Sequence, residues 1–134
     1  MATLDSVQVK DYMNAQPLTF RPDMEVMAAI NQLVKHGLSG APVVDADGRL
    51  VGMLSEKDCM QVGLIAAQDT CVAGPVSQLM STQLTTVTLD TNLTQMATMF
   101  ISRSFRRYPV VDGNGKLVGL ISRSDVLRAI SSLC

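Results

Sequence analysis

Pro42-Val43-Val44-Asp45-Ala46-Asp47-Gly48-Arg49-Leu50-Val51-Gly52-Met53-Leu54-Ser55-Glu56-Lys57-Asp58 returns 67 residues later as Pro109-Val110-Val111-Asp112-Gly113-Asn114-Gly115-Lys116-Leu117-Val118-Gly119-Leu120-Ile121-Ser122-Arg123-Ser124-Asp125. Both copies keep the Pro-Val-Val-Asp start, a glycine at Gly48 and Gly115, a Leu-Val-Gly triplet, and a Ser-x-x-Asp ending at Asp58 and Asp125. The register continues upstream without a gap, because Val9, Met13, Thr19 and Asp23 fall on Val76, Met80, Thr86 and Asp90. Repetition at a fixed offset over such a length marks a duplicated structural unit. The chain divides into a first repeat with its N-terminal segment at 1–66, a linker at 67–75, and a second repeat at 76–134. The linker holds Asp69, Gly74 and Pro75 and no periodicity.

Each repeat carries the same succession of local signals. Residues 18–21 and 85–89 are short and β-prone, and Asp23 and Asp90 are placed to cap the helices that follow. Val26, Met27, Ile30, Leu33 and Val34 recur at the three- and four-residue spacings of an amphipathic helix, as do Leu93, Met96, Ala97, Phe100 and Ile101. Two apolar runs then flank Asp45-Ala46-Asp47-Gly48 or Asp112-Gly113-Asn114-Gly115. Asp-Gly and Asn-Gly there signal a hairpin, because the turn needs φ > 0. A closing helix starts at Glu56 and at Arg123. The expected unit is β-α-β-β-α, an α/β (α+β) arrangement. One copy cannot cover its own sheet, so two are expected to pack with pseudo-two-fold symmetry into one module.

Composition narrows the function classes. The 134 residues are 47% hydrophobic and 17% charged, which is globular rather than disordered. Aromatics are 4% with no Trp, against the stacking platforms that single-stranded nucleic acids need. The net charge of −1 speaks against non-specific nucleic-acid binding. Cys59, Cys71 and Cys134 have no CxxC spacing, and with His36 as the one histidine no metal-ligand cluster is expected. His36 reads as closing a helix before Gly37, and Cys59 as a small buried residue. Residues 1–10 lack the apolar run of a signal peptide, and no stretch reaches the length of a membrane span. A cytoplasmic protein without membrane or nucleic-acid partners is the expectation, and no nucleophile with its base suggests an enzyme.

The ordered pattern Pro-Val-Val-Asp, glycine turn, Leu-Val-Gly, Ser-x-x-Asp, present twice, resembles the cystathionine β-synthase (CBS) domain. Two in tandem resemble the CBS pair called a Bateman module, here free-standing and covering nearly the whole chain. The resemblance implies a regulatory, non-catalytic module. Such pairs bind adenine nucleotides or S-adenosylmethionine in two clefts between the repeats, and often dimerise into a flat disk.

Ser55, Asp58, Ser122 and Asp125 then have two readings. By the resemblance, each Asp carboxylate accepts hydrogen bonds from a ribose diol, and each Ser faces the phosphates. A vicinal diol does offer two donors to a carboxylate, and a helix N-terminus offers N–H groups to an anion. Equally, Ser-x-x-Asp before a helix is a capping box that needs no ligand. The resemblance also places the pre-proline segments Leu38-Ser39-Gly40-Ala41 and Phe105-Arg106-Arg107-Tyr108 along the base pocket, whereas Leu38 and Phe105 could equally be plain core. Thr19 and Thr86 join the candidate set. Gly52 and Gly119, inside strands, mark a bulge or the close approach of a backbone or ligand.

Charge breaks the symmetry. Residues 1–75 carry −4 and residues 76–134 carry +3, and five of the six cations in the second half are arginines, suited to bidentate phosphate contacts. Arg106 and Arg107 stand where the first repeat has Ser39 and Gly40, so a cleft combining them with Ser55 and Asp58 favours a phosphorylated adenosine over a cationic sulfonium. The competing role for these arginines is solvent exposure or acid pairing across a dimer. The sequence thus points to a homodimeric sensor of AMP, ADP or ATP that needs no cofactor and acts in trans on an unidentified effector protein. The alternatives are a dimerisation scaffold with vestigial clefts, or a binder of S-adenosylmethionine or NAD.

Overall fold

The computed structural model describes residues 3–66 and 74–134. It divides into two compact units, residues 18–84 and residues 1–17 with 85–134. Most of the expected linker, 67–73, with Asp69 and Cys71, lies outside the described residues.

In the 18–84 unit, β1 (Gly40–Val44) pairs antiparallel with β2 (Leu50–Ser55). The connecting turn is built as the sequence predicts. Gly48 takes φ +83°, and Asp45 Oδ1 accepts the N–H groups of Asp47 and Arg49 at 2.9 and 3.0 Å. A bulge between Val43 and Val44 shifts the register. The expected first strand at 18–21 is reduced to one parallel bridge, in which Phe20 N–H donates to Pro42 O and Val44 N–H to Phe20 O. The bridge uses the Pro42 carbonyl and the Val44 N–H, so the N–H that Pro42 lacks is not called on there. On the other edge Met53 and Ser81 exchange both backbone bonds, at 3.0 and 2.9 Å. Helix α2 (Val26–His36) and helix α3 (Glu56–Ala66) close the unit over Phe20, Val26, Ala29, Leu33, Val43 and Leu54.

The 1–17/85–134 unit repeats this plan. Helix α4 (Leu93–Ser102) precedes β3 (Arg107–Val111) and β4 (Leu117–Ser122), and α5 (Arg123–Leu133) follows. Val87 bridges Val110 as Phe20 bridges Val43, and Asn14 bridges Leu120 as Ser81 bridges Met53. The short helix α1 (Val9–Tyr12) lies just before that edge. The two cores use the same ten positions in the 67-residue register, with Tyr108 at Ala41 and Phe100 at Leu33.

One finding adds to the sequence expectation and a second corrects it. First, the compact units are not the sequence repeats. Val76, which opens the second repeat, is buried in the 18–84 core, and Val9, which opens the first, is buried in the other. Each repeat lends its leading segment to the other unit's sheet edge, where Gly52 and Gly119 admit it. A Cβ on Gly52 would stand 2.5 Å from Met80 Sδ and 3.1 Å from Ser81 O, and one on Gly119 would meet Met13 Sδ and the Asn14 carbonyl. Second, the helix caps are Glu25 and Asn92, not Asp23 and Asp90. The borrowed segments fix these starts, because Val26 N–H donates to Gly74 O and Leu93 N–H to Val7 O. Asp90 instead accepts from the Thr88 hydroxyl in the preceding turn.

Candidate functional site

The two Ser-x-x-Asp motifs sit where β2 runs into α3 and where β4 runs into α5. Both are closed as reciprocal caps. Ser55 N–H and Ser55 Oγ–H donate to Asp58 Oδ2, each at 2.9 Å, and Asp58 N–H returns to Ser55 Oγ at 3.2 Å. Ser122 N–H and Oγ–H reach Asp125 Oδ2 at 2.8 and 3.0 Å, with Asp125 N–H on Ser122 Oγ at 3.4 Å. The helix starts are also largely satisfied: Glu56 N–H donates to Ser39 O and Arg123 N–H to Arg106 O. The capping reading of these motifs therefore describes the chain's own contacts, and acceptor capacity for a ligand has to be sought in the second carboxylate oxygens.

Those oxygens differ. Asp58 Oδ1 takes no hydrogen bond among the described residues, and Asp58 is half-buried. Asp125 Oδ1 accepts from Arg128 Nη1 at 2.8 Å, and Asp125 is 8% exposed. Arg128 also donates to Tyr12 O at 3.1 Å and lies 5.9 Å above the Tyr12 ring. Sequence reasoning did not single out Arg128. The available signal was its i, i+3 spacing from Asp125, against Gln61 at the matching place in the first repeat.

The remaining candidates separate by unit and by burial. Thr19 and Thr86 are exposed beside the bridging residues Phe20 and Val87. Ala41 and Tyr108 are each 1% exposed, with their side chains in the cores. Tyr108 packs against Phe100 and Phe105, with ring centroids at 4.9 and 5.6 Å, and its hydroxyl donates to Met99 O at 3.3 Å. Burial raises its phenol above the ordinary value, against the opposing pull of Arg103 and Arg123. Arg106 and Phe105 are exposed and Arg107 is half-buried. Arg123 Nε donates to Phe105 O at 3.2 Å, which brings a second guanidinium beside the Arg106 backbone, and Arg103 reaches Thr85 Oγ1 at 3.1 Å.

Leu38 and Ser39 line an apolar groove of about 760 Å³ between α2 and α3, together with Met27, Ile30, Val34 and Met60. Cys59 lies at its floor, buried, its thiol pushed up in pKa by that burial and then by Asp58 and Glu56. Exposed large apolar side chains recur in register: Val34 with Ile101, Leu38 with Phe105, Met60 with Leu127. Among the described residues no three histidine, cysteine or carboxylate side chains gather as a metal site, and no helix is long and apolar enough to cross a membrane.

Known proteins share this arrangement. The family model of the CBS domain matches residues 9–64 and again 76–132. A crystal structure of CBSX2 in complex with AMP superposes with a TM-score of 0.84 at 30% identity, covering 95% of this chain and 98% of that one. CBSX2 is a protein of Arabidopsis thaliana. The CBS domain pair of MJ0100, crystallised with 5-methylthioadenosine and S-adenosyl-L-methionine, has a TM-score of 0.77 at 26% identity over 92% of this chain and 99% of that one. Inosine-5'-monophosphate dehydrogenase of Aquifex aeolicus is 32% identical over 87% of this chain, which spans only 23% of that enzyme's length. With two matched domains, duplicated cores and closely superposing CBS-pair structures, the chain belongs to the CBS domain family and carries two CBS domains in tandem.

Proposed function

We propose that this chain is a regulatory module that binds an adenosine phosphate, AMP, ADP or ATP, and transmits its occupancy in trans to a partner protein. The observation that carries this reading is the open Oδ1 of Asp58, held in place because Oδ2 is already tied down by Ser55. An ionised carboxylate has about four acceptor sites, of which this capping box uses two, and a ribose diol supplies two donors. The kinship with a CBS pair crystallised with AMP supports the same ligand class. The relative crystallised with S-adenosyl-L-methionine favours a second reading, since its ligand carries the same ribose. The +3 charge of residues 76–134, mostly arginine, favours the anionic ligand over the sulfonium cation.

The same reading includes a homodimer. Large apolar side chains left in water at matching positions of both repeats form an association surface, and a surface present twice in one chain suits a second copy of that chain.

A thermal-shift panel with AMP, ADP, ATP, S-adenosylmethionine, NAD and GTP tests the ligand. At a hundred times its dissociation constant a ligand adds about 2.7 kcal/mol of stability. A selective rise with adenosine phosphates is expected, and 2′-deoxy-AMP should be clearly weaker than AMP. A flat panel would replace the sensor by a dimerisation scaffold, and equal binding of 2′-deoxy-AMP would remove the diol from Asp58.

A further inference from the structure

We propose that the chain takes one adenosine-type ligand, through Asp58, and that Arg128 withholds Asp125 from a second. The inference rests on the ligand class argued above, and adds which carboxylate serves it. Both carboxylates spend two acceptor sites of Oδ2 on their own serine. Asp58 keeps the two sites of Oδ1, whereas Asp125 has given one of them to Arg128. A vicinal diol needs two acceptors, so Asp58 meets the requirement and Asp125 falls one short.

Arg128 is not a side chain that a ligand sweeps aside without loss. It is anchored at three points: Asp125 Oδ1, Tyr12 O and the Tyr12 ring. Although the Arg128 side chain is 60% exposed, displacing it would break a charge-assisted hydrogen bond to a carboxylate only 11% exposed, which makes a diol at Asp125 up to about tenfold weaker than at Asp58. The first repeat lacks every part of this device. In the 67-residue register Gln61 stands for Arg128 and Leu79 for Tyr12. The two copies thus share the Ser-x-x-Asp box and differ at this pair of positions, which in the second copy fastens the N-terminal segment. Asp125 and Arg128 hold residues 9–14 on α5 and β4, next to the Asn14–Leu120 bridge.

Isothermal titration calorimetry on the full chain with AMP, and ATP in parallel, reads the stoichiometry directly. The wild type is expected to bind one nucleotide per chain. Arg128→Gln, which installs the first repeat's residue, is expected to add a second event of about the first one's affinity, because the hydrogen bond that set the two carboxylates apart is gone. Two equal sites in the wild type, or one site in Arg128→Gln, would overturn the inference and leave the adenosine reading standing. Gln61→Arg supplies the reciprocal test should Arg128→Gln lose its melting transition. That variant places a guanidinium beside Asp58 and should weaken nucleotide binding by up to about tenfold at an unchanged melting temperature. Wild-type affinity in Gln61→Arg would overturn the inference. Absence of heat with both nucleotides, together with a flat thermal-shift panel, would overturn the ligand class and this inference together.

Discussion

Gly52→Ala probes the feature on which both units depend, the borrowed segment at the sheet edge. The added methyl would lie 2.5 Å from Met80 Sδ and 3.1 Å from the Ser81 carbonyl oxygen. The thioether can swing away, but the carbonyl belongs to the Met53–Ser81 pair, whose hydrogen bonds measure 3.0 and 2.9 Å. Overpacking of this kind costs about 1–3 kcal/mol, offset by about 0.4–1 kcal/mol because alanine narrows the unfolded ensemble. A net loss of roughly 1–2 kcal/mol follows, and with a urea slope of about 2 kcal/mol per molar the midpoint should fall by about 0.5–1 M. Met80→Ala in the same chain relieves the closer contact. The double variant should therefore lose less than the sum of the two single variants, by about 1 kcal/mol. Urea unfolding followed by far-UV circular dichroism measures all four corners of the cycle. An unchanged midpoint in Gly52→Ala, or strict additivity in the double variant, would refute the claim that this glycine exists to admit residues 80–81.

Val34→Asp, in a side chain 76% exposed on α2, should convert a dimer to monomers in sedimentation velocity without lowering the melting temperature. A wild type that sediments as a monomer at micromolar concentration would remove the dimer from the proposal. The turn carboxylates Asp45 and Asp112 carry pKa values below the ordinary 3.8, Asp45 chiefly through the Arg49 N–H and Asp112 chiefly through the Asn114 N–H. A depressed folded pKa means stability that is complete above the unfolded value and lost as pH falls through the folded one. Acid unfolding below about pH 4 should accordingly become shallower in Asp45→Asn with Asp112→Asn, and an unaltered acid limb would show that these turns do not contribute to it.

The repeat was legible because it rests on local chemistry. A hairpin turn needs φ > 0 wherever it occurs, so Gly48 and Gly115 announce it in any context, and both adopt it. Of the apolar spacing at Val26, Met27, Ile30, Leu33 and Val34, or at Leu93, Met96, Ala97, Phe100 and Ile101, the fold buries Val26 and Leu33, or Leu93, Met96 and Phe100, adds Ala29, and leaves Val34 and Ile101 in water. The helices start two residues later than the capping signal at Asp23 and Asp90 because the deciding hydrogen bonds come from Gly74 and Val7, distant along the chain. The Ser-x-x-Asp motifs could be located but not interpreted, since cap and ligand site ask for the same residue types. Their two carboxylates became distinguishable only with the second partner of each oxygen in view.

Pattern and spacing along the chain therefore determined the duplication, the hairpin and the two longer helices of each repeat and the family resemblance, all of which depend on neighbours within a few residues or on an internal copy. Tertiary structure decided which unit each leading segment joins, why Gly52 and Gly119 must lack side chains, and which aspartate keeps an open oxygen. Those outcomes turn on contacts such as Arg128 to Tyr12, 116 residues apart, where chain distance carries no information about proximity and only the folded arrangement brings donor to acceptor.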